Sequence, residues 1–211
     1  MDKNFCDIRE SWRSQLADMP EEVLDSDEVK TARIAATDYD GFVALGDALS
    51  KQLKYRRSAT AYSQALEFCP NNSAVLRLRA GRYISSLQCE HAINDFEQCL
   101  ILGGDELDIR YRLGLCKYFL GQYEQAMEQF ELCIPLCDDE MGIAVMYWHT
   151  MSAYRCKREA CLLHHYHKNM AVGHHTAYEK AISVCSGQHQ AEKLFYELGC
   201  ERNDISGSVA G

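Results

Sequence analysis

The chain has 211 residues, 22 Lys and Arg against 31 Asp and Glu, and a formal net charge of −9. Such an acidic balance argues against nucleic acid as a partner, because phosphate binding needs a concentrated basic surface. No window approaches the roughly 20 apolar residues of a membrane span.

At 47 % hydrophobic residues the chain is near the globular average and long enough for one domain with a substantial core. Three prolines and a vocabulary rich in Ala, Leu, Glu, Gln and Arg point to an all-α chain. Eleven cysteines are an odd number for a disulfide framework, so reduced thiols in a reducing compartment are expected. Residues 1–20 carry Asp2, Asp7, Glu10 and Asp18 and lack the apolar segment of a secretory signal. The expected location is cytoplasmic.

Residues 1–38 read as N-terminal capping helices. Phe5, Ile8, Trp12 and Leu16 recur at spacings of three and four and share one helix face. Pro20 breaks that pattern, and Asp25-Ser26-Asp27-Glu28 can cap a second short helix running to Ile34.

From Tyr39 to Glu140, three segments of equal length, 39–72, 73–106 and 107–140, repeat one spacing of small and aromatic residues. The eighth position is Gly46, Ala80 and Gly114; the seventeenth is Tyr55, Cys89 and Tyr123. The twentieth is Ser58, Ala92 and Ala126, and the twenty-fourth is Tyr62, Phe96 and Phe130. The twenty-seventh is Ala65, Cys99 and Cys133. Each segment holds two apolar runs at helical spacing with short punctuation between them. Two short helices cannot hide both apolar faces alone. Small residues remove bulk where the helices cross, the aromatic fills the gap to the next pair, and stacking builds one continuous core.

A period of about 34 residues with these small and aromatic offsets is the tetratricopeptide (TPR) signature, and the chain resembles that family. The resemblance implies an all-α, TPR-type α-solenoid that binds a protein or peptide in a concave groove, without catalysis and without a cofactor. Residues 141–174 keep the length of a repeat but carry Trp148 at the eighth position and His164 at the twenty-fourth, so a divergent fourth helix pair is expected. Residues 175–202 read as C-terminal capping helices, and 203–211 as a disordered tail.

In proteins of this family the inner surface comes from the first helix of each pair. Carried over position by position, that surface implies Asp47 in the first segment and Arg77 in the second. It implies Asp108, Tyr111, Arg112 and Tyr118 in the third, and His149 in the fourth unit. Two arginines and exposed aromatics suit an extended or helical peptide with an acidic or apolar anchor. The branch that clamps a chaperone's terminal carboxylate places lysine or asparagine where this chain has Val43, Asp47, Leu78 and Asp108. Only the arginine, at Arg112, is shared, and two aspartates would repel a carboxylate.

The alternative is a metal-binding protein. Seven of the eight histidines lie at or beyond residue 149. Cys161, His164, His165 and His175 are the candidate ligands, with a thiol and an imidazole one helical turn apart. That spacing matches no standard zinc signature, and no His-Glu-x-x-His, Walker or Gly-x-Ser-x-Gly motif is present. A TPR-type regulator of a signalling protein would use the same groove.

Overall fold

The structure, a computed structural model, describes residues 25–188 and residue 190. The expected helix around Trp12, His189, residues 191–202 of the expected C-terminal capping helices and the tail 203–211 lie outside the described residues. Among those described are nine α-helices, two 3-10 turns and no strand. They are α1 (Asp27–Ala35), α2 (Tyr39–Lys51), α3 (Tyr55–Phe68), α4 (Ser73–Ser85), α5 (Cys89–Ile101), α6 (Glu106–Phe119), α7 (Tyr123–Cys133), α8 (Asp139–Cys156) and α9 (Thr176–Cys185). The fold is all-α, with the helices inside each unit packed in consecutive order in the manner of a TPR-type α-solenoid. Two compact units divide between Gln122 and Tyr123.

In the first unit α1 through α6 pack in sequence, each on its successor. The repeated columns are its core: Tyr62, Ala65, Ala80, Ala92, Phe96 and Cys99 are all at most 1 % exposed. At the α2–α3 crossing a Cβ on Gly46 would come within 2.4 Å of the Tyr62 ring, so the eighth position must be small there. Ser58 donates to the Gly46 carbonyl oxygen at 2.7 Å across the same crossing. A smaller cluster of Val29, Leu45, Ala48, Leu49 and Ala61 joins α1 to this pair.

The first helices of the pairs begin on capping side chains. Asp38 accepts from the Gly41 amide, Asn72 from Val75 and Asp105 from Asp108, each filling an orphan donor of the first turn. They end on one hydrogen-bond pattern. Leu53, Leu87 and Gly121, all at the fifteenth position, take positive φ of 59°, 60° and 78°. The following amide then reaches back five residues, as in Lys54 to Leu49 and Gln88 to Tyr83.

Arg79 of α4 makes a bidentate pair with Asp95 of α5, at 2.8 and 2.7 Å, and donates to Ser63 of α3 at 2.9 Å. Three helices are thereby tied at one buried point. Asp25 collects Lys54, Arg57 and Arg33 around one buried carboxylate.

In the second unit α7 packs on α8, and α8 packs on α9 and on a 3-10 turn at Cys161–His165. This corrects the expected helix pair at 141–174: α8 supplies one 18-residue helix, and no second helix follows before α9. The helix stops at Lys157, which takes the left-handed conformation. Beyond it, the residue in the aromatic column is His164, which is exposed and bonds the Cys161 carbonyl, while Leu162 and Tyr166 supply the buried apolar side chains from a 3-10 turn and the loop after it. Trp148, in place of the small eighth residue, instead packs edge-on with Tyr147 and Tyr178. Tyr178 stacks on Tyr147 at 4.3 Å, fastening α9 to α8. The connection at 170–174 is held by carboxylates at the start of α8: Asp139 accepts from the Ala171 amide and Glu140 from the His174 amide.

Candidate functional site

On the first unit, α4 and α6 bring three of the expected residues together. Asp108 accepts from Arg77 Nε at 2.7 Å through one oxygen and from Arg112 Nε at 2.8 Å through the other. Arg112 lies one turn after Asp108 on the same helix, whereas Arg77 reaches across from α4. Burial pushes the Asp108 carboxyl up, but the bonds from Arg77 and Arg112 outweigh it and hold the group below the usual carboxylate range. The same bond to Asp108 raises Arg77 further. Two guanidiniums share the Asp108 carboxylate, and the Asp105 charge also acts on Arg77. The Arg77 and Arg112 side chains are 45 % and 38 % exposed, so both stay within reach of a partner.

One turn after Arg77 on α4 is Gly81, where an added Cβ would meet nothing within 4 Å. The surface of α4 is open at that position. Tyr111 and Tyr118 of α6 are half-buried, and Tyr118 meets Phe119 edge-on at 5.9 Å. Phe119 packs against the core, so of the two neighbouring aromatics it serves packing. Asp47 on α2 is exposed and accepts from the Tyr62 hydroxyl at 2.6 Å. Burial, then the Asp47 carboxylate, pushes the Tyr62 phenol well above its ordinary value.

His149 does not belong to an accessible surface. Its side chain is 0 % exposed, which corrects its expected place on a groove wall. Its Nε2 is 3.3 Å from Glu131 Oε1 of α7 and 3.6 Å from the Cys161 sulfur. Cys161 in turn lies 3.7 Å from the same Glu131 oxygen. Burial lowers His149 against the opposing pull of Glu131, and burial together with Glu131 raises the Cys161 thiol.

The expected ligand group of Cys161, His164, His165 and His175 is not assembled as a set. His164 points Nδ1 at the Cys161 carbonyl oxygen, and its ring lies 3.9 Å from that of His165. His175 stacks on Tyr178 at 5.3 Å. Cys161 instead meets His149, which lies outside the expected ligand set, and Glu131 of α7. Nothing in the local sequence signals this, because the three residues are 12, 18 and 30 positions apart.

Residues 107–139 match the family model described as tetratricopeptide repeat. Among curated proteins the chain is 31 % identical over 86 residues to the heat-shock protein cognate (HSC) co-chaperone sgt12 of Aspergillus fumigatus. That stretch is 41 % of this chain and 25 % of the relative, so the chain spans about a quarter of the length of the curated protein it matches. Among solved structures it resembles MamA from AMB-1 with a TM-score of 0.56 and 20 % identity, over 86 % of this chain and 95 % of that one. It also resembles YrrB, titled a TPR protein with an unusual peptide-binding site, with a TM-score of 0.51 and 16 % identity over 78 % and 86 % of the two chains. At these identities the likeness to the solved structures is one of fold. No helix among the described residues is long and apolar enough to cross a membrane.

Proposed function

We propose that the chain is a non-catalytic protein-interaction module of the cytoplasm. A partner segment docks along α4 and α6 of the first unit, in extended or helical form, through an acidic or apolar anchor. The observation that carries this reading is the part-exposed Arg77–Asp108–Arg112 centre beside the open position at Gly81. Part-exposed arginines next to unfilled space and half-buried tyrosines offer what a peptide anchor needs: a charged contact, a place for backbone and aromatic surface. The co-chaperone relative and the peptide-binding site of YrrB are in keeping with it. Asp108 already occupies both arginines, so this surface suits a ligand other than the bare chain terminus that chaperone clamps hold.

The test is a pull-down from the source cell with three variants of the full chain. Gly81→Trp extends into open space on α4 and should abolish capture of the wild-type partners while helicity is retained. Arg77→Glu with Arg112→Glu should do the same if the anchor is acidic. Asp108→Asn removes the competing carboxylate and should tighten an acidic anchor and leave an apolar one unchanged. Wild-type capture by both the Gly81→Trp and the double-arginine variants would rule the surface out.

A further inference from the structure

In the second unit, Glu131 of α7, His149 of α8 and Cys161 of the 3-10 turn place one carboxylate oxygen, one imidazole nitrogen and one sulfur in a triangle. Its edges are 3.3 Å from nitrogen to oxygen, 3.6 Å from sulfur to nitrogen and 3.7 Å from sulfur to oxygen. The nitrogen-to-oxygen edge exceeds the roughly 3.2 Å to which ordinary N–H···O hydrogen bonds run, and the other two edges involve the larger sulfur atom. The three edges match another geometry. Tetrahedral zinc with bonds of about 2.05 Å to nitrogen, 2.1 Å to oxygen and 2.3 Å to sulfur separates its ligand atoms by about 3.4, 3.6 and 3.6 Å in the same order.

We propose that Glu131, His149 and Cys161 form a binding site for a borderline-soft divalent cation of the zinc type. The donors fit the ion in kind as well as in spacing: imidazole, thiolate and carboxylate are the groups zinc takes. A carboxylate and a thiolate together balance a dication, and the metal itself displaces the thiol proton as it binds. His149 is held by burial, so one ligand is rigidly placed. Its Nδ1 has no hydrogen-bond partner among the described residues, so packing and the Nε2 contacts to Glu131 and Cys161 set the ring's orientation. Glu131 and Cys161 are exposed, which gives an ion an entry path and leaves the fourth corner to water. The site joins three separate segments, so a bound metal would clip the irregular turn after α8 onto the α7–α8 pair.

The proposal is independent of the docking surface on the first unit. Its test uses the untagged full chain stripped with a chelator, then titrated with zinc and, separately, with cobalt as an optical reporter. One equivalent of metal should bind, with a thiolate-to-cobalt charge-transfer band and the visible bands of a tetrahedral ion, and zinc should raise the melting temperature. Cys161→Ser should remove the charge-transfer band. Cys161→Ser and Glu131→Gln should each weaken affinity by at least about tenfold, a loss that removing even an outer-shell partner can cause. Both positions are exposed, so circular dichroism should be unchanged by either substitution. A triple change of His164, His165 and His175 to alanine should keep the metal. Absence of stoichiometric uptake by the stripped wild-type chain would overturn the assignment. So would uptake that survives Cys161→Ser and Glu131→Gln but is lost in the triple-histidine variant.

Discussion

The two units solve the same problem, burying short amphipathic helices, by different means. In the first, one spacing of small and aromatic residues recurs, so α2–α3 and α4–α5 are joined by equivalent contacts and turns. In the second, after α7 and α8, the pattern lapses and individual pairs take over: Tyr147 on Tyr178, Tyr166 to Glu179, and the loop amides on Asp139 and Glu140. A repeat distributes its stability over columns that tolerate exchange within a size class. An irregular segment relies on individual contacts, each of modest worth. The first arrangement leaves the opposite side of each leading helix at liberty to vary, and the Arg77–Asp108–Arg112 centre lies on those helices. The second fixes side chains from distant positions at a single point, and the Glu131, His149 and Cys161 donors meet in that setting.

The largest effect should come from emptying a column. Phe96 and Phe130 are both 0 % exposed at the twenty-fourth position, one in each unit. Phe96→Ala and Phe130→Ala should each cost about 3–5 kcal/mol in denaturant unfolding. By contrast, Tyr178→Leu keeps apolar bulk and removes only the aromatic geometry, worth about 0.5–1.5 kcal/mol. If Tyr178→Leu proved as costly as the column substitutions, the contrast between the units would have to be redrawn.

One substitution made at two glycines should give opposite signs. At Gly46 a methyl group collides with the buried Tyr62 ring, which its hydroxyl bond to Asp47 keeps from moving aside. Gly46→Ala should therefore destabilise by about 1–3 kcal/mol despite its gain in helix propensity. Gly81→Ala meets nothing and should stabilise by about 0.5–1 kcal/mol. Thermal melts of the two variants settle it, and equal signs would show that the α2–α3 crossing is looser than drawn.

Those columns were legible in the sequence because a helix crossing constrains side-chain size at fixed offsets, and size is written in the residue type. Ser58, Ala92 and Ala126, all 0 % exposed, are such a case. The turns were less legible. The left-handed residue at the fifteenth position is imposed by closing the hydrogen bonds, and only Gly121 advertises it; Leu53 and Leu87 do not. The Arg112–Asp108 contact follows from a spacing of four on one helix, but the reach of Arg77 to Asp108 depends on how α4 packs. The Glu131–His149–Cys161 group was hidden for a stronger reason. It exists because α8 ends at Lys157 and the chain turns back, and no motif spacing encodes that return.

Leu53 also yields a smaller test of the repeat. A left-handed residue bearing a side chain costs about 1–2 kcal/mol relative to one without. Leu53 is 69 % exposed, so removing its side chain forfeits little burial. Leu53→Gly should stabilise by up to about 1 kcal/mol once glycine's greater unfolded-state freedom is subtracted. Lys157→Gly in the second unit, at a φ of 56° and an exposed site, should gain similarly, because this local strain does not depend on the repeat.

The smallest effect should be electrostatic and confined to acid. The Lys54 hydrogen bond, joined by Arg57 against the cost of burial, lowers the Asp25 carboxyl, and the two arginines lower that of Asp108. A carboxyl whose folded pKa lies below its unfolded value of about 3.9 is fully ionised and stabilising above that pH in both states' balance. As pH falls below about 4, the unfolded chain takes up the proton first, so the contribution is lost through the folded-state pKa. Asp108 sits between part-exposed arginines, and solvent screening keeps its share small. Asp108→Asn should leave the pH dependence near neutrality unchanged and flatten the slope of the unfolding midpoint below about pH 4. The same slope measured in high salt should flatten for the wild-type chain as well, because the pairs involved are reached by ions. A variant with an unaltered acid slope would mean that the arginines engage Asp108 too weakly to hold it, and that they are freer to meet a partner than the bond lengths imply.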